Sequence, residues 1–254
     1  MNDKIPKFII IVPYRDRENQ KTWFIENIMY LQSILPHFLV YFIHQNDTRI
    51  FNRGAMKNLG FLFVKRTFPN DYKDITLVFH DVDTFPRKNI LLNYITQNKI
   101  IKHFYGFTHT LGGIVSVKSD NFETINGFPN FWGWGFEDNV LQIRCSKKNY
   151  KIDRNNFYHI NDKNICHFQD ERFKIFNEKN IERVVEDKNY GITNLRNYDF
   201  ITEEIESNFI YMIHINYFLC EYNSEEESYQ THDLSKGNII RKIFKKPALK
   251  MSFI

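Results

Sequence analysis

Three short, uninterrupted apolar runs are the feature that most restricts the fold of this chain. They lie at residues 7–13, 38–44 and 75–79. A strand that is apolar on both faces is typical of a parallel sheet that is covered on both sides. Between the runs, residues 20–35 and 52–64 repeat apolar positions at helical spacing. This alternation predicts an α/β fold with a mostly parallel central sheet and flanking helices.

The pattern beyond residue 90 is mixed. No internal repeat and no linker rich in Pro, Gly or Ser divides the sequence, so we expect a single domain. We predict its main part at residues 1–205 and a C-terminal strand or extension with a basic tail at 206–254. The later elements that we expect are a short strand within 106–117, helices at 140–148 and 171–185, and an edge strand at 211–219.

Composition excludes several classes of protein. Hydrophobic residues are 43% of the 254, enough for a sizeable core, which argues against a disordered chain. The net charge of +4 is spread along the sequence, and only the tail at 241–250 is concentrated, so we expect no nucleic-acid partner. Three scattered cysteines are too few for a disulfide framework. The apolar run at 8–12 is too short to cross a bilayer, and we predict no transmembrane segment.

Two acidic residues follow the third apolar run, where ligands of parallel sheets bind. Asp81 and Asp83 stand at i and i+2, so both carboxylates face one side if the strand geometry persists. In open α/β sheets, ligands lie outside the carboxyl ends of the strands. Two hard oxygen donors can hold Mg²⁺ or Mn²⁺ beside phosphate oxygens. By itself, the same pair also suits turn and helix-cap positions.

The segment FWGWGFEDN at residues 131–139 indicates a ligand-binding loop. Glycine alternating with tryptophan makes a poor core strand, because glycine packs nothing and weakens the strand. In a loop, the same residues let the backbone approach a ligand while indole rings supply apolar walls and N–H donors. Glu137 and Asp138 then begin a helix, whose positive end favours carboxylates. An aromatic cluster with a helix cap is the structural alternative.

Four motifs follow one another along the chain with consistent gaps. They are VPYRDR at 12–17, FNRGAMKNLGF at 51–61, HDVD at 80–83, and WGWG at 132–135 with the two acidic residues after it. Together they resemble the motifs of the β-1,4-galactosyltransferase family, whose members are inverting enzymes with a GT-A fold. The resemblance runs from about residue 6 to about residue 200. It implies a Rossmann-like sheet and an enzyme of carbohydrate metabolism and protein glycosylation that moves galactose from UDP-galactose to a hydroxyl of a glycan acceptor.

The resemblance implies roles for individual residues. Asp138 matches the general base, and Glu137 matches a carboxylate that contacts the donor sugar. Asp83 and His167 match metal ligands, and Asn164 stands where the family often has a third ligand, methionine. The implied metal is Mn²⁺, with Mg²⁺ as the alternative. The residues that match the donor site are Pro13, Tyr14, Arg15, Arg17, Asn52, Arg53, Asp81, Gly113 and Trp134.

Departures from the family concern specificity. Thr110 stands where galactosyl enzymes of the family have a tyrosine, and a smaller residue leaves room for an N-acetyl group. UDP-GalNAc is therefore an alternative donor. Asn139 replaces a second aspartate that helps to hold the acceptor, and Phe136 replaces glycine or a basic residue. Together with Trp132, these two residues form the predicted acceptor site.

The implied reaction is a single displacement between a UDP-sugar donor and a glycan or glycoconjugate acceptor. Two alternative functions stay open. The first is a metal-dependent phosphoester hydrolase that uses Asp81, Asp83 and His167. This function leaves the WGWG segment unexplained. The second is a non-catalytic nucleotide-sugar binding protein on a decayed scaffold, which retention of Asp83, Asp138 and His167 disfavours. UDP release in the presence of an acceptor separates both from a transferase.

The sequence also carries an expectation about location. No membrane anchor or signal peptide is visible, so we expect a soluble or cytoplasmic protein, of viral or bacterial origin. Animal members of the family are anchored in the secretory pathway. A lumenal location is the expectation only if an anchor is missing from this sequence.

Overall fold

The computed structural model describes residues 5–168 and 173–236. Their strands are, in chain order, β1 (Phe8–Tyr14), β2 (Phe38–Gln45), β3 (Thr76–His80), β4 (Thr84–Pro86), β5 (Ile100–Gly106), β6 (Ile114–Lys118), β7 (Lys151–Asp153), β8 (Tyr158–His159), β9 (Ile165–His167), β10 (Phe173–Phe176), β11 (Ile201–Glu206), β12 (Ile210–Ile215) and β13 (Gln230–Asp233). Their α-helices are α1 (Glu18–Gln32), α2 (Arg53–Thr67), α3 (Ser119–Thr124), α4 (Glu137–Lys147) and α5 (Lys179–Val185).

One mixed sheet forms the centre of the fold. Among the described residues it contains nine strands in the order β11-β12-β2-β1-β3-β6-β5-β7, with β8 beside β5. Strands β12, β2, β1 and β3 are mutually parallel, whereas β6 runs antiparallel to both of its neighbours. Every residue of β1 is buried, which explains why its sequence lacks polar alternation. The predicted α/β fold with flanking helices is confirmed.

The two faces of the sheet are covered by different helices. Alternate side chains of β1 enter two apolar cores, with Ile9 and Ile11 in one and Ile10 in the other. Helix α2 covers the first core and approaches very closely, since a Cβ on Gly60 would lie 2.7 Å from Ile11. Helix α1 covers the second core with buried residues such as Phe24. Helix α1 connects β1 to β2, and α2 connects β2 to β3. Because these three strands are parallel, their carboxyl ends lie at one edge of the sheet.

Two expectations for the later part of the chain need correction. The helix predicted at 171–185 begins only at Lys179, because residues 173–176 form β10, in which exposed and buried side chains alternate. Residues 169–172 lie outside the described part. The strand predicted at the edge is β12, which pairs with both β2 and β11 and so lies inside the sheet. Strand β5 was not predicted.

The C-terminal region contributes directly to the sheet. The predicted division between residues 205 and 206 falls within β11, and β12 follows it. The basic tail at 241–250 lies outside the described residues. In the ranges that the structure describes, no helix has both the length and the apolar character needed to cross a membrane.

Candidate active site

A cleft of about 290 Å³ opens beyond the carboxyl end of β3, beside the start of α4. Its walls come from the loop after β3, the loop between β5 and β6, and the segment that leads into α4. Charged side chains, aromatic rings and glycine backbone all face it. The lining residues that the motifs had singled out are Arg53, Asp81, Gly113, Trp134, Glu137 and Asp138.

Arg53 is the centre of a charged cluster in this cleft. It is the first residue of α2, and Asn52 before it caps the helix by accepting a hydrogen bond from the helix backbone. The Arg53 guanidinium contacts the carboxylates of Asp81, Glu137 and Asp138. One side chain thus joins the loop after β3 to the first turn of α4.

The two acidic residues that begin α4 lie in different electrostatic environments. Burial raises the pKa of Glu137, and the neighbouring Asp138 carboxylate raises it further. Burial also acts to raise the pKa of Asp138, but the cations of Lys57 and Arg53 outweigh it and hold that pKa below its usual value. Lys57 Nζ donates to Asp138 Oδ1 at 2.8 Å, and Arg53 donates to Oδ2 at 3.0 Å. Asp138 is therefore ionised at neutral pH and able to accept a proton.

The loop between β5 and β6 places its backbone against Asp138. A Cβ on Gly112 would lie 3.0 Å from Cγ of Asp138, closer than carbon atoms pack, so a larger residue here would displace the carboxylate. Gly113 has a φ of +75°, in the left-handed region that glycine adopts readily. The N–H of Leu111 donates to the backbone carbonyl of Asp138 at 3.1 Å. The position of the carboxylate therefore depends on this loop.

A buried histidine and an arginine hold the loop in place. Nε2 of His103 lies 2.9 Å from the carbonyl oxygen of Tyr105 and 3.1 Å from that of Gly112. Because carbonyls only accept, Nε2 carries the proton, and Nδ1 accepts from Nε of Arg154 at 3.0 Å. Arg154 also donates to Gln142 in the second turn of α4 at 2.9 Å. Burial, followed by the charge of Arg154, lowers the pKa of His103 to about 4, which keeps the ring neutral.

The two tryptophans of the WGWG segment differ in position. Trp134 lines the cleft, is 39% exposed, and donates its backbone N–H to Ile175 at 2.7 Å. Trp132 is 1% exposed, stacks on Phe218, and donates Nε1–H to the carbonyl of Tyr222 at 2.7 Å. The ring of Trp132, predicted to bind the acceptor, thus lies in the core and anchors the loop, and it does not line the cleft.

Two of the residues predicted to bind a metal are neighbours. Strand β4 follows Asp83 directly, and the first residue of β4 pairs with His167 of β9. The hydroxyl oxygen of Tyr105 lies 2.9 Å from Nε2 of His167. Nη1 of Arg17 lies 3.5 Å from Oδ2 of Asp83. Burial lowers the pKa of His167, which favours the neutral imidazole that a metal requires.

The third residue predicted to bind the metal, Asn164, stands in the turn before β9. Its backbone carbonyl accepts a hydrogen bond from the N–H of Arg87 at 2.9 Å, and its own N–H donates to the carboxylate of Asp162 at 2.8 Å. Its role as a metal ligand stays a prediction. Within the described residues, no group of three or more His, Cys, Asp or Glu side chains could hold a metal. The carboxylate of Asp83 and the imidazole of His167 fit Mn²⁺ as two protein ligands, with other positions left to donor oxygens or water.

The predicted donor-binding residues divide into two groups. Asn52 is fully buried and does not line the cleft: its amide donates to a backbone carbonyl, and its oxygen caps α2. Pro13 and Tyr14 are buried at the end of β1, and Arg15 donates to a backbone carbonyl after β2. Arg17 faces Asp83. Those that line the cleft are Arg53, Asp81, Gly113 and Trp134.

The cleft contains two of the residues predicted to bind the acceptor and several residues that were not predicted. The two predicted residues are Phe136 and Asn139. Lys57 was missed, although it follows Arg53 by four residues on one helix and so shares its face. Nothing in the sequence singles out three further lining residues, which come from the end of β5 and from the loop after it. These are Tyr105, Phe107 and His109.

Two family models match the chain. Residues 3–95 match the model described as the N-terminal region of glycosyl transferase group 7. Residues 97–169 match the model described as the N-terminal domain of galactosyltransferase. Together the two segments cover well over half of the sequence.

Curated proteins similar to the chain are galactosyltransferases. It is 29% identical over 164 residues to β-1,4-galactosyltransferase 4 of Cricetulus griseus, covering 60% of this chain and 46% of that protein. It is 32% identical over 160 residues to β-1,4-galactosyltransferase 6 of Homo sapiens, covering 58% of this chain and 40% of that protein. The chain spans less than half the length of these relatives.

Solved structures share the fold. The catalytic domain of Drosophila β-1,4-galactosyltransferase 7 in complex with xylobiose superposes with a TM-score of 0.70 at 21% identity, covering 87% of this chain and 97% of that one. A mutant of that protein in complex with manganese, UDP-Gal and xylobiose gives 0.69 at 22% identity, with the same coverage. At these identities the likeness establishes the fold.

Proposed function

The chain belongs to the glycosyl transferase group 7 family of galactosyltransferases, and we propose that it is an inverting, metal-dependent enzyme that moves galactose from UDP-galactose to a hydroxyl of a glycan acceptor. The family models and curated relatives confirm the resemblance to β-1,4-galactosyltransferases, and the solved structures confirm the GT-A fold. The observation that carries the proposal is the cleft in which an ionised Asp138 lies beside Arg53 and Asp81.

Asp138 is the general base in this proposal. It accepts the proton of the acceptor hydroxyl as that oxygen attacks the anomeric carbon from the face opposite the departing UDP, which inverts the carbon. A base within hydrogen-bond reach of the attacking group contributes roughly 10²- to 10⁴-fold. Glu137, beside it in the same cleft, is placed to hydrogen-bond the donor sugar.

The donor is held by residues from three segments. Arg53 offers a planar set of N–H groups that matches diphosphate oxygens, and Asp81 holds the guanidinium in place. Trp134 stands between Gly133 and Gly135, whose φ values of +88° and +96° lie in the left-handed region. Glycine adopts this region readily because it has no Cβ, and it leaves the loop conformational freedom. Closure of this loop over the donor would exclude water and protect UDP-galactose from hydrolysis.

Asp83 and His167 are the residues that would hold the metal. A carboxylate oxygen and a neutral imidazole suit Mn²⁺, which the Drosophila relative contains, and Mg²⁺ is the alternative. When bound, the ion supplies positive charge that stabilises the departing diphosphate. The chain fixes His167 through the pairing of β4 with β9 and through the Tyr105 hydroxyl.

A second donor is supported by one observation. Thr110 lines the cleft, and its side chain is much smaller than the tyrosine of galactosyl enzymes in the family. Space near the 2-substituent of the sugar would admit the N-acetyl group of UDP-GalNAc. The acceptor side of the cleft has Phe136 and Asn139, and the Drosophila relative binds xylobiose, so acceptors that end in xylose belong in any test.

The test is a UDP-release assay with Mn²⁺. UDP-Gal, UDP-GalNAc, UDP-Glc and UDP-GlcNAc are compared against free sugars and xylobiose, with and without EDTA. We expect acceptor-stimulated, EDTA-sensitive release from UDP-Gal. Metal-dependent UDP binding without release would favour the nucleotide-sugar binding protein, and the absence of UDP binding would overturn the proposal.

The variant Asp138→Asn separates the base from the donor site. The amide keeps the shape of the carboxylate but cannot accept the proton, so we expect transfer to fall by at least roughly 10²-fold. UDP affinity, measured by calorimetry, should change little. Equal loss of both would mean that the role of Asp138 is misassigned.

A further inference from the structure

Lys57 is a buried cation to which the reaction above gives no role. It is 2% exposed, and Nζ lies 4.2 Å from the centre of the Phe128 ring. Lysine is almost never fully buried unless it is paired, because removing an ammonium group from water is costly. A side chain that only filled space in α2 would be apolar, as Met56 and Leu59 are beside it.

The partner of Lys57 is the carboxylate of Asp138. Nζ donates to Oδ1 at 2.8 Å, while Arg53 donates to Oδ2 at 3.0 Å. Oε1 of Glu137 lies 4.0 Å from Nζ of Lys57, which is beyond hydrogen-bond distance. Lys57 is thus directed to one oxygen of one carboxylate, and the two cations together fix the plane of that group.

The charges around Asp138 explain why one cation is not sufficient. Arg53 on α2 is shared with Asp81 after β3 and with Glu137 on α4, so a single positive charge faces three carboxyl groups. His103 on β5 adds no charge at neutral pH, since burial and Arg154 lower its pKa to about 4. Without Lys57, the nearby acidic groups and burial would favour the protonated form of the base.

We propose that Lys57 is a positioning residue for the general base, which it holds ionised and fixed in the plane that faces the cleft. This inference rests on the proposed function, in which Asp138 accepts the proton of the acceptor. An opposite charge within about 4–6 Å lowers a carboxyl pKa by roughly 1–3. Loss of the lysine charge should therefore raise the pKa of Asp138 by about 1 or more, without altering the donor site.

The experiment compares the pH dependence of kcat/KM in wild type and Lys57→Gln. Glutamine keeps a hydrogen-bond donor and removes the charge, so we expect the acidic limb of the profile to move up by about one pH unit or more. UDP affinity should be unchanged. Lys57→Met serves as a second neutral variant if glutamine impairs folding. The control is Lys65→Gln, which removes a lysine from the surface of the same helix, where it pairs with Glu123, and should leave the profile as in wild type.

A second readout does not depend on transfer. Carbon-13 NMR of the Asp138 carboxyl group, assigned with Asp138→Asn, reports its titration directly in wild type and in Lys57→Gln. An unchanged titration and an unchanged acidic limb would overturn the inference while the proposed function stood. If the wild type transferred no sugar but the titration still moved upward in Lys57→Gln, the electrostatic coupling would hold and the proposed function would fail.

Discussion

The contact between Gly112 and the general base makes a sharp prediction for Gly112→Ala. The new Cβ would lie 3.0 Å from Cγ of Asp138, and closer still to one carboxylate oxygen. Carbon atoms pack at about 3.5–4.0 Å, so the carboxylate must move by about 0.5–1 Å. It cannot yield freely, because Lys57 and Arg53 hold its two oxygens.

A shift of that size is large for a general base. A misplacement of about 1 Å can cost roughly 10²-fold in rate, so we expect kcat of Gly112→Ala to fall by about that factor. The residue does not have a φ in the left-handed region, so alanine adds no backbone strain there. Acceptor-stimulated UDP release gives kcat, and calorimetry with UDP should show nearly wild-type affinity.

The double variant Gly112→Ala with Asp138→Asn identifies the route of the damage. If the alanine acts by displacing the base, it should cost little more once the base is gone, because residues in contact are not additive. A further 10²-fold loss in the double variant would show that the alanine harms something else. Near wild-type kcat in the single variant would refute the argument from the contact itself.

Four further outcomes follow from the site and its surroundings. EDTA should abolish transfer, and added Mn²⁺ should restore it. His167→Ala should weaken Mn²⁺ binding by at least roughly tenfold, whereas Asn164→Ala should not. Equal weakening in both variants, measured by calorimetry with Mn²⁺, would show that Asn164 is also a ligand. Thr110→Tyr should raise the ratio of kcat/KM for UDP-Gal to that for UDP-GalNAc, and an unchanged ratio would remove Thr110 from donor selection. Arg154→Met should lower kcat by about tenfold and leave UDP affinity unchanged, because the loop between β5 and β6, which contacts Asp138, loses its support. Loss of UDP affinity would instead indicate general unfolding. Burial lowers the pKa of His80 from 6.5 to about 4, so the unfolded state takes up the proton first, and His80 should contribute about 3 kcal/mol to the fall in the free energy of unfolding between pH 7 and pH 4. Urea titrations of His80→Gln at both values should show a smaller fall, and an equal fall would contradict this role.

Several site residues could be predicted because their signals are local. Asp138 and Glu137 follow a glycine-rich aromatic segment and begin a helix, and Asp81 follows a buried strand, so short stretches of sequence place them. The family motifs give them roles. Local reasoning does not show where the side chains of Trp132 and Asn52 point. Both residues lie within motifs, but their side chains are buried and hydrogen-bonded in the core.

The sequence by itself determined the order of β1, α1, β2, α2 and β3, the α/β class and the acidic residues of the site. These properties depend on hydrophobic period and on motifs a few residues long. Only the tertiary structure placed Lys57 against Asp138, 81 residues away. It also joined His103 to the backbone carbonyl of Gly112. Such contacts depend on which elements the order of the sheet brings together, and no local pattern encodes that order.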